Sequence, residues 1–245
     1  MSPSLPRKML NRSWPVLLAL LLSILAPVAM AQTVATAQNC KPGTERWPVK
    51  ISVVDTAKLQ SPKAVGLSAL FALEDPQGVK HNDPRYQEAR IPAFPNSLSV
   101  NEGDILETSG WLFLVATETD CDYHIQISNQ PRTTTNKPTP EDNCVVVEAP
   151  RPDFVDNADL KQSLTTLRDY IKTKILKGNE PSTSASVMIH PVCVRVAGQL
   201  FYDDAHLGAN GQKELRGKKG MHSQTLWELH PITSFTIVPS TACQF

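Results

Sequence analysis

The chain of 245 residues carries 24 basic and 24 acidic side chains, 41% hydrophobic residues, 20 Pro, 11 Gly and 5 Cys. That composition excludes a collagen, a coiled coil and wholesale disorder. Residues 1–31 read as a cleavable signal peptide: Arg7, Lys8 and Arg12 precede an apolar run from Val16 to Val28, then Ala29-Met30-Ala31 before Gln32. Their removal takes away three bases and no acid, leaving 214 residues with 21 bases against 24 acids. The global basic excess of a phosphate-backbone binder is absent, so any nucleic-acid role needs a local patch. A second apolar run of about 18 residues is also missing, so no transmembrane segment is expected in the mature chain. The expected location is outside the cytoplasm, periplasmic or extracellular, and the oligomeric state is left open.

All five cysteines, Cys40, Cys121, Cys144, Cys193 and Cys243, follow the expected cleavage point, where disulfides form and persist. An odd number leaves at least one unpaired, and no CxxC spacing supports a zinc ribbon or a redox pair. A Cys40–Cys243 bridge would tie down the two mature ends, and Cys193, in an apolar run, reads as a buried thiol.

In chain order, residues 32–44 read as a flexible mature N-terminus. Trp47 to Asp55, rich in β-branched residues, predicts a strand, and Pro62 to Leu73 a short helix. Four prolines between Glu74 and Pro95 predict a surface loop. Strands are then expected at Ser97–Val100 and Ile105–Ala116, the second with a bulge or bend at Ser109-Gly110. In the next strand Tyr123, Ile125 and Ile127 alternate with His124, Gln126 and Ser128, the half-buried pattern. Cys144–Glu148 predicts a short strand after a Pro/Thr-rich loop. Asp156 or Asn157 caps a helix in which Leu160, Leu164, Leu167, Ile171 and Ile175 recur at helical spacing up to Gly178. Strands at Val187–Gly198 and Thr225–Val238 close the chain, with a polar loop from Asp203 to Gly220 between them. From Ile105 the order is β-β-β-α-β-β, the layout of an OB-like β-barrel. The expected fold is therefore mainly β: a barrel over residues 97–240, one amphipathic helix, and a small strand-helix-loop extension over residues 45–96.

Residues spread along the chain carry a family likeness: Glu45-Arg46-Trp47-Pro48-Val49-Lys50 with Asp55, Asp122-Tyr123-His124, Glu148-Ala149-Pro150, Val194-Arg195-Val196-Ala197-Gly198 with Phe201-Tyr202-Asp203 and His206, and Glu228-Leu229-His230-Pro231. With these the chain resembles a group of bacterial exported proteins whose function is not established. The resemblance implies an OB-like β-barrel over about residues 45–238 and no catalytic assignments. The chain departs from the group at Asn129–Asn143, which replaces a shorter turn, and at Arg90–Phe94, which lacks an acid after the proline.

Asp122-x-His124 and Glu228-x-His230 each place a carboxylate and an imidazole on one face of a strand, because side chains alternate with period two. Asp203, Asp204 and His206 follow the fourth barrel strand. His124, His206 and His230 with Asp122, Asp203 and Glu228 are thus candidate ligands for a divalent metal such as zinc. The plainer alternative makes them outward-facing polar positions on half-buried strands. Lys213, Arg216, Lys218 and Lys219 form a basic loop that could take an anionic ligand, an oligonucleotide or a glycan, with Trp111, Phe113 and Tyr123 as stacking surfaces or core. No GxSxG elbow, P-loop or GxGxxG occurs. The leading expectation is an exported binding module of unknown ligand; the alternatives are a metal-dependent hydrolase and an envelope structural or interaction protein.

Overall fold

A computed structural model describes residues 40–244, so the signal-peptide reading of residues 1–31 lies outside the described residues, as does the first part of the 32–44 segment. The first elements are α1 (Trp47–Lys50), a 3-10 turn (Thr56–Gln60), β1 (Lys63–Ala64) and α2 (Leu67–Phe71). Then follow β2 (Ile105–Thr117), β3 (Tyr123–Ser128), β4 (Cys144–Ala149), α3 (Ala158–Tyr170, prolonged as a π turn to Ile175), β5 (Ser186–Tyr202) and β6 (Trp227–Ile237). The six strands make one mixed sheet in the order β1-β2-β3-β4-β6-β5, and β2 also pairs with β5. Strands β2, β3, β4, β6 and β5 therefore form a closed ring, antiparallel except where β4 meets β6 at Val147 and Leu229, with β1 added in parallel outside it.

The apolar alternation of β3 does what its period demands. Tyr123, Ile125 and Ile127 join Val145, Val147 and Leu229, and the α3 stripe of Leu160, Leu164, Leu167 and Ile171 packs on the same core. Asn157 caps α3 by accepting from the Leu160 N–H at 2.9 Å. Gly110 is not the bulge: it pairs regularly with Val194, and the register shifts between Leu112 and Leu114. What Gly110 allows is close approach, since a Cβ there would stand 3.0 Å from Leu67 of α2.

Three local expectations are corrected. Trp47–Asp55 is no strand: Pro48 sits in the first helical turn, and Arg46 enters with φ 50°, so the chain coils into α1 and then turns away. Ser97–Val100 is a turn held by the Asn96 side chain, which donates to Val100 O at 2.7 Å and accepts from its N–H at 3.2 Å. Strand β3 is buried on both faces, not one. Its second face is covered by the 203–226 segment, where Lys218 N–H donates to Gln126 Oε1 (2.8 Å) and Gln126 Nε2 donates to Met221 O (2.9 Å).

The disulfides are Cys40–Cys121, with Cα atoms 5.5 Å apart, and Cys193–Cys243, 5.9 Å apart, while Cys144 is a buried free thiol. The expected Cys40–Cys243 bridge and the free Cys193 are thereby corrected. The reason is register: β6 runs antiparallel to β5, bringing Val238 N–H onto Cys193 O at 3.0 Å, so the following turn delivers Cys243 to Cys193. None of the helices among the described residues is long and apolar enough to cross a membrane.

Candidate functional site: a buried carboxylate and imidazole cluster beside a charged cavity

The ladder brings the sequence motifs together. His124 of β3 lies directly across from Glu148 of β4, and β6 runs beside β4 and sets His230 and Glu228 on the same face. Glu148 then holds both imidazoles: its Oε1 is 2.9 Å from His124 Nδ1 and its Oε2 is 3.2 Å from His230 Nδ1. Glu228 Oε1 is also 3.2 Å from His230 Nδ1, while Asp122 Oδ2 faces the opposite nitrogen, Nε2, at 3.5 Å. That last separation is long for a directed hydrogen bond and within ion-pair distance. It matches two ligand atoms on one tetrahedral ion, because bonds of about 2.0–2.2 Å place their ends about 3.4 Å apart.

The other half of the cluster comes from the end of β5 and the segment after it. Arg216 Nη2 bridges Asp203 Oδ2 (2.9 Å) and Glu228 Oε2 (2.5 Å), and Asp203 Oδ2 lies 2.7 Å from His206 Nδ1. From the N-terminal side α1 brings Lys50, which is only 8% exposed. The β2–β3 turn adds Glu118, whose Oε1 is 3.4 Å from His124 Nδ1 and 3.1 Å from Lys218 Nζ. A cavity of about 310 Å³ opens here, walled by Lys50, Glu118, Asp120, His124, Glu148, Asp203, His206, Arg216 and Lys218.

Six carboxylates (Glu118, Asp120, Asp122, Glu148, Asp203 and Glu228) face three permanent cations (Lys50, Arg216 and Lys218), with three imidazoles between them. Burial pushes Asp120 up to about 6, aided by the charges of Asp122, Glu148 and Glu118. For Glu148 burial acts upward too, but the bonds from His124 and His230 outweigh it and hold the group well below the usual carboxylate range. Asp203 shifts the same way against its burial, through Arg216 above all. His206 is raised, chiefly by its hydrogen bond to Asp203.

Nine buried side-chain polar atoms among the described residues have no hydrogen-bond partner, and five belong to this cluster: Asp122 Oδ2, His124 Nε2, Asp203 Oδ1, Arg216 Nη1 and His230 Nε2. Each costs about 1–3 kcal/mol if left so, and such concentration marks a place where something else supplies the partner. Among the described residues, two sets of three ligand atoms lie within 4.8 Å of one another, Glu118–His124–Glu148 and Asp122–Glu148–His230, and they share Glu148. The chain matches no protein-family model, no curated protein and no solved structure.

Of the six metal-ligand candidates read from the sequence, Asp122, His124 and His230 stand in these two sets. His206, Asp203 and Glu228 stand beside them, bound to one another through Arg216 and by the His206–Asp203 contact. The basic loop is dispersed. Arg216 is buried in the cluster, Lys218 reaches the cavity wall, Lys213 pairs with Asp75 at 2.7 Å on another side, and Lys219 is exposed. Phe113 and Tyr123 are buried, and Trp111 half-buried. No sequence motif points to Glu148, Glu118, Asp120 or Lys50 as site residues. Glu148 had one visible signal, a carboxylate closing the otherwise apolar run Cys144–Val147.

Proposed function

We propose that this chain is an exported, metal-dependent hydrolase on an OB-like barrel, with a divalent cation held at the Glu148-centred cluster. The ring order and the helix between β4 and β5 support the barrel reading, and the disulfides are compatible with export. The observation that carries the metal is the Asp122 Oδ2–His230 Nε2 pair: both atoms buried, neither with a hydrogen-bond partner, and 3.5 Å apart, an ion-pair distance that a shared cation also fits, with His230 Nδ1 already fixed by Glu148 and Glu228. That is the arrangement of a metal-binding imidazole oriented through its other nitrogen. Glu118 and His124 extend the donor set to the cavity wall, where Glu148 can serve either group.

A divalent ion bound to such a mixed imidazole and carboxylate set supplies a water of lowered pKa at neutral pH. The chain's own residues supply the rest: His206, fixed on Asp203 at the cavity wall, is placed to donate a proton, and Lys50 and Arg216 place positive charge inside. Hydrolysis is favoured over simple binding because His206, held on Asp203 at 2.7 Å, and the carboxylates Glu118 and Asp120 line the same cavity wall as His124 and Glu148, so a proton donor and proton acceptors stand beside the proposed ion. The test is metal uptake by the chelator-stripped full chain, followed by hydrolysis of a panel of chromogenic phosphate esters, carboxylate esters and glycosides with and without added zinc or manganese. Activity that appears with metal and disappears in His230→Ala supports the reading. A folded protein that takes up no metal overturns it.

A further inference from the structure

We propose that the same cavity holds a phosphate group between Lys50 and Arg216, so that the substrate of the hydrolase is a phosphate ester. The substrate assignment rests on the metal-centre reading; the anion subsite stands on its own residues. Both cations are buried, at 8% and 6% exposure, and both line the cavity. Burying a cation is costly unless it is fully paired. Neither is. The Lys50 ammonium has one ion-pair partner among the described residues, half-exposed Glu45 at 3.8 Å, and otherwise stands 5.5 Å from the centre of the Phe201 ring.

Arg216 places one nitrogen, Nη2, on both Asp203 and Glu228 and leaves Nη1 buried without a partner. A guanidinium clamped on one edge offers its other N–H groups in a fixed plane, the geometry suited to phosphate oxygens. Neutralising Asp203 and Glu228 explains the clamped edge and leaves Nη1 unexplained. Lys218, at the wall, adds a third cation. The six surrounding carboxylates repel an anion in the metal-free protein, and a divalent ion on Glu148 offsets part of that repulsion. Phosphate and metal binding are therefore coupled, each strengthening the other.

The chemistry balances without a further reactant. The oxygen of water forms a new bond to phosphorus, the ester P–O bond breaks, and one water proton ends on the leaving oxygen, giving inorganic phosphate and an alcohol. Inorganic phosphate is then the product and a direct probe of the subsite.

The experiment is calorimetric titration of the full chain with inorganic phosphate, manganese-loaded and chelator-treated, for the wild type, Lys50→Met and Lys50→Arg, with acetate as a second anion. The expected result is phosphate binding by the metal-loaded wild type, at least about tenfold weaker binding by Lys50→Met with metal content unchanged, and recovery of most of the loss in Lys50→Arg. Metal uptake without phosphate binding, or equal phosphate affinity in Lys50→Met, overturns the subsite and leaves the metal centre standing. Phosphate binding that depends on Lys50 in a protein that takes up no metal keeps the subsite and overturns the metal centre. Acetate bound as tightly as phosphate overturns the phosphate assignment. Should Lys50→Met fail to fold, Lys50→Gln is titrated in its place, with the same loss expected and the same results overturning the subsite.

Discussion

Replacing Arg46 with Met tests how the N-terminal segment is held over the site. The guanidinium and the carboxylate of Glu102 are both fully buried and meet through two bonds, Nη1 to Oε1 at 2.7 Å and Nη2 to Oε2 at 2.8 Å. Arg46 also donates to the carbonyls of Tyr86 (2.9 Å), Tyr202 (2.7 Å) and Ala89 (3.0 Å), and lies 4.7 Å from the centre of the Phe201 ring. One side chain thus ties α1 to the 86–91 loop and to the end of β5. Met removes all five bonds and leaves Glu102, among the described residues, with the N–H groups of Ile91 (2.6 Å) and Tyr202 (2.9 Å).

Breaking one side of a buried pair costs about 3–5 kcal/mol, much of it the price of the stranded charge. With a urea m-value of about 2 kcal/mol/M, that lowers the midpoint by roughly 2 M. The assay is urea unfolding followed by tryptophan fluorescence, with Trp47 near the mutation and Trp227 in the core as reporters. Arg46→Met/Glu102→Leu, which removes both charges, is expected to be more stable than Arg46→Met alone. A single-mutant loss below about 1 kcal/mol, or a double mutant whose loss is the sum of the two single losses, refutes the reasoning.

Cys193→Ala/Cys243→Ala opens a link across a sequence separation of 50 residues and is expected to cost about 4 kcal/mol by loop-closure entropy, read as a fall in melting temperature. Gly217→Ala is expected to cost more than about 1 kcal/mol and to weaken phosphate binding. Gly217 has φ +113°, and a Cβ there would stand 2.2 Å from Met221 O and 2.8 Å from Gln126 Nε2, shifting the segment that carries Arg216 and Lys218. For Asp142, burial acts to raise the pKa, but the Arg132 side chain and the Thr139 N–H outweigh it and hold it below the ordinary value. Its contribution to stability is therefore full above the unfolded value of about 4 and is lost as pH falls through the depressed folded value. A pH series of melting temperatures should show a shallower acid-side decline for Asp142→Asn, and an unchanged slope would contradict the assignment.

Strong periodicity made part of the fold legible. The i, i+3, i+4 leucines of α3 and the alternation in β3 each point to one face, and the order of three strands, helix and two strands follows from them. Asp122-x-His124 and Glu228-x-His230 were readable for the same reason, since period two fixes which residues share a face. Residues fixed by tertiary contact were not readable. Pro48 is the one local mark of a helix at Trp47–Lys50, and it is outweighed in the sequence by β-branched neighbours that favour a strand, while the buried Arg46–Glu102 pair that fixes the segment spans 56 residues. Lys50 and Glu118 reach the cavity from segments whose paths depend on that pair and on the Cys40–Cys121 bridge. Glu148 is a lone carboxylate in its strand, and only the register opposite His124 gives it meaning. The basic loop looked like one patch because its residues are close in sequence, yet without regular structure they point to different sides.

The central claim is tested most directly by the metal content of the full chain, purified without a His tag or chelator and measured by elemental analysis alongside Asp122→Ala/His230→Ala. The account predicts at least one equivalent of zinc or manganese per folded chain and its loss in the double variant. A folded, metal-free wild type that takes up no divalent ion on titration would contradict it.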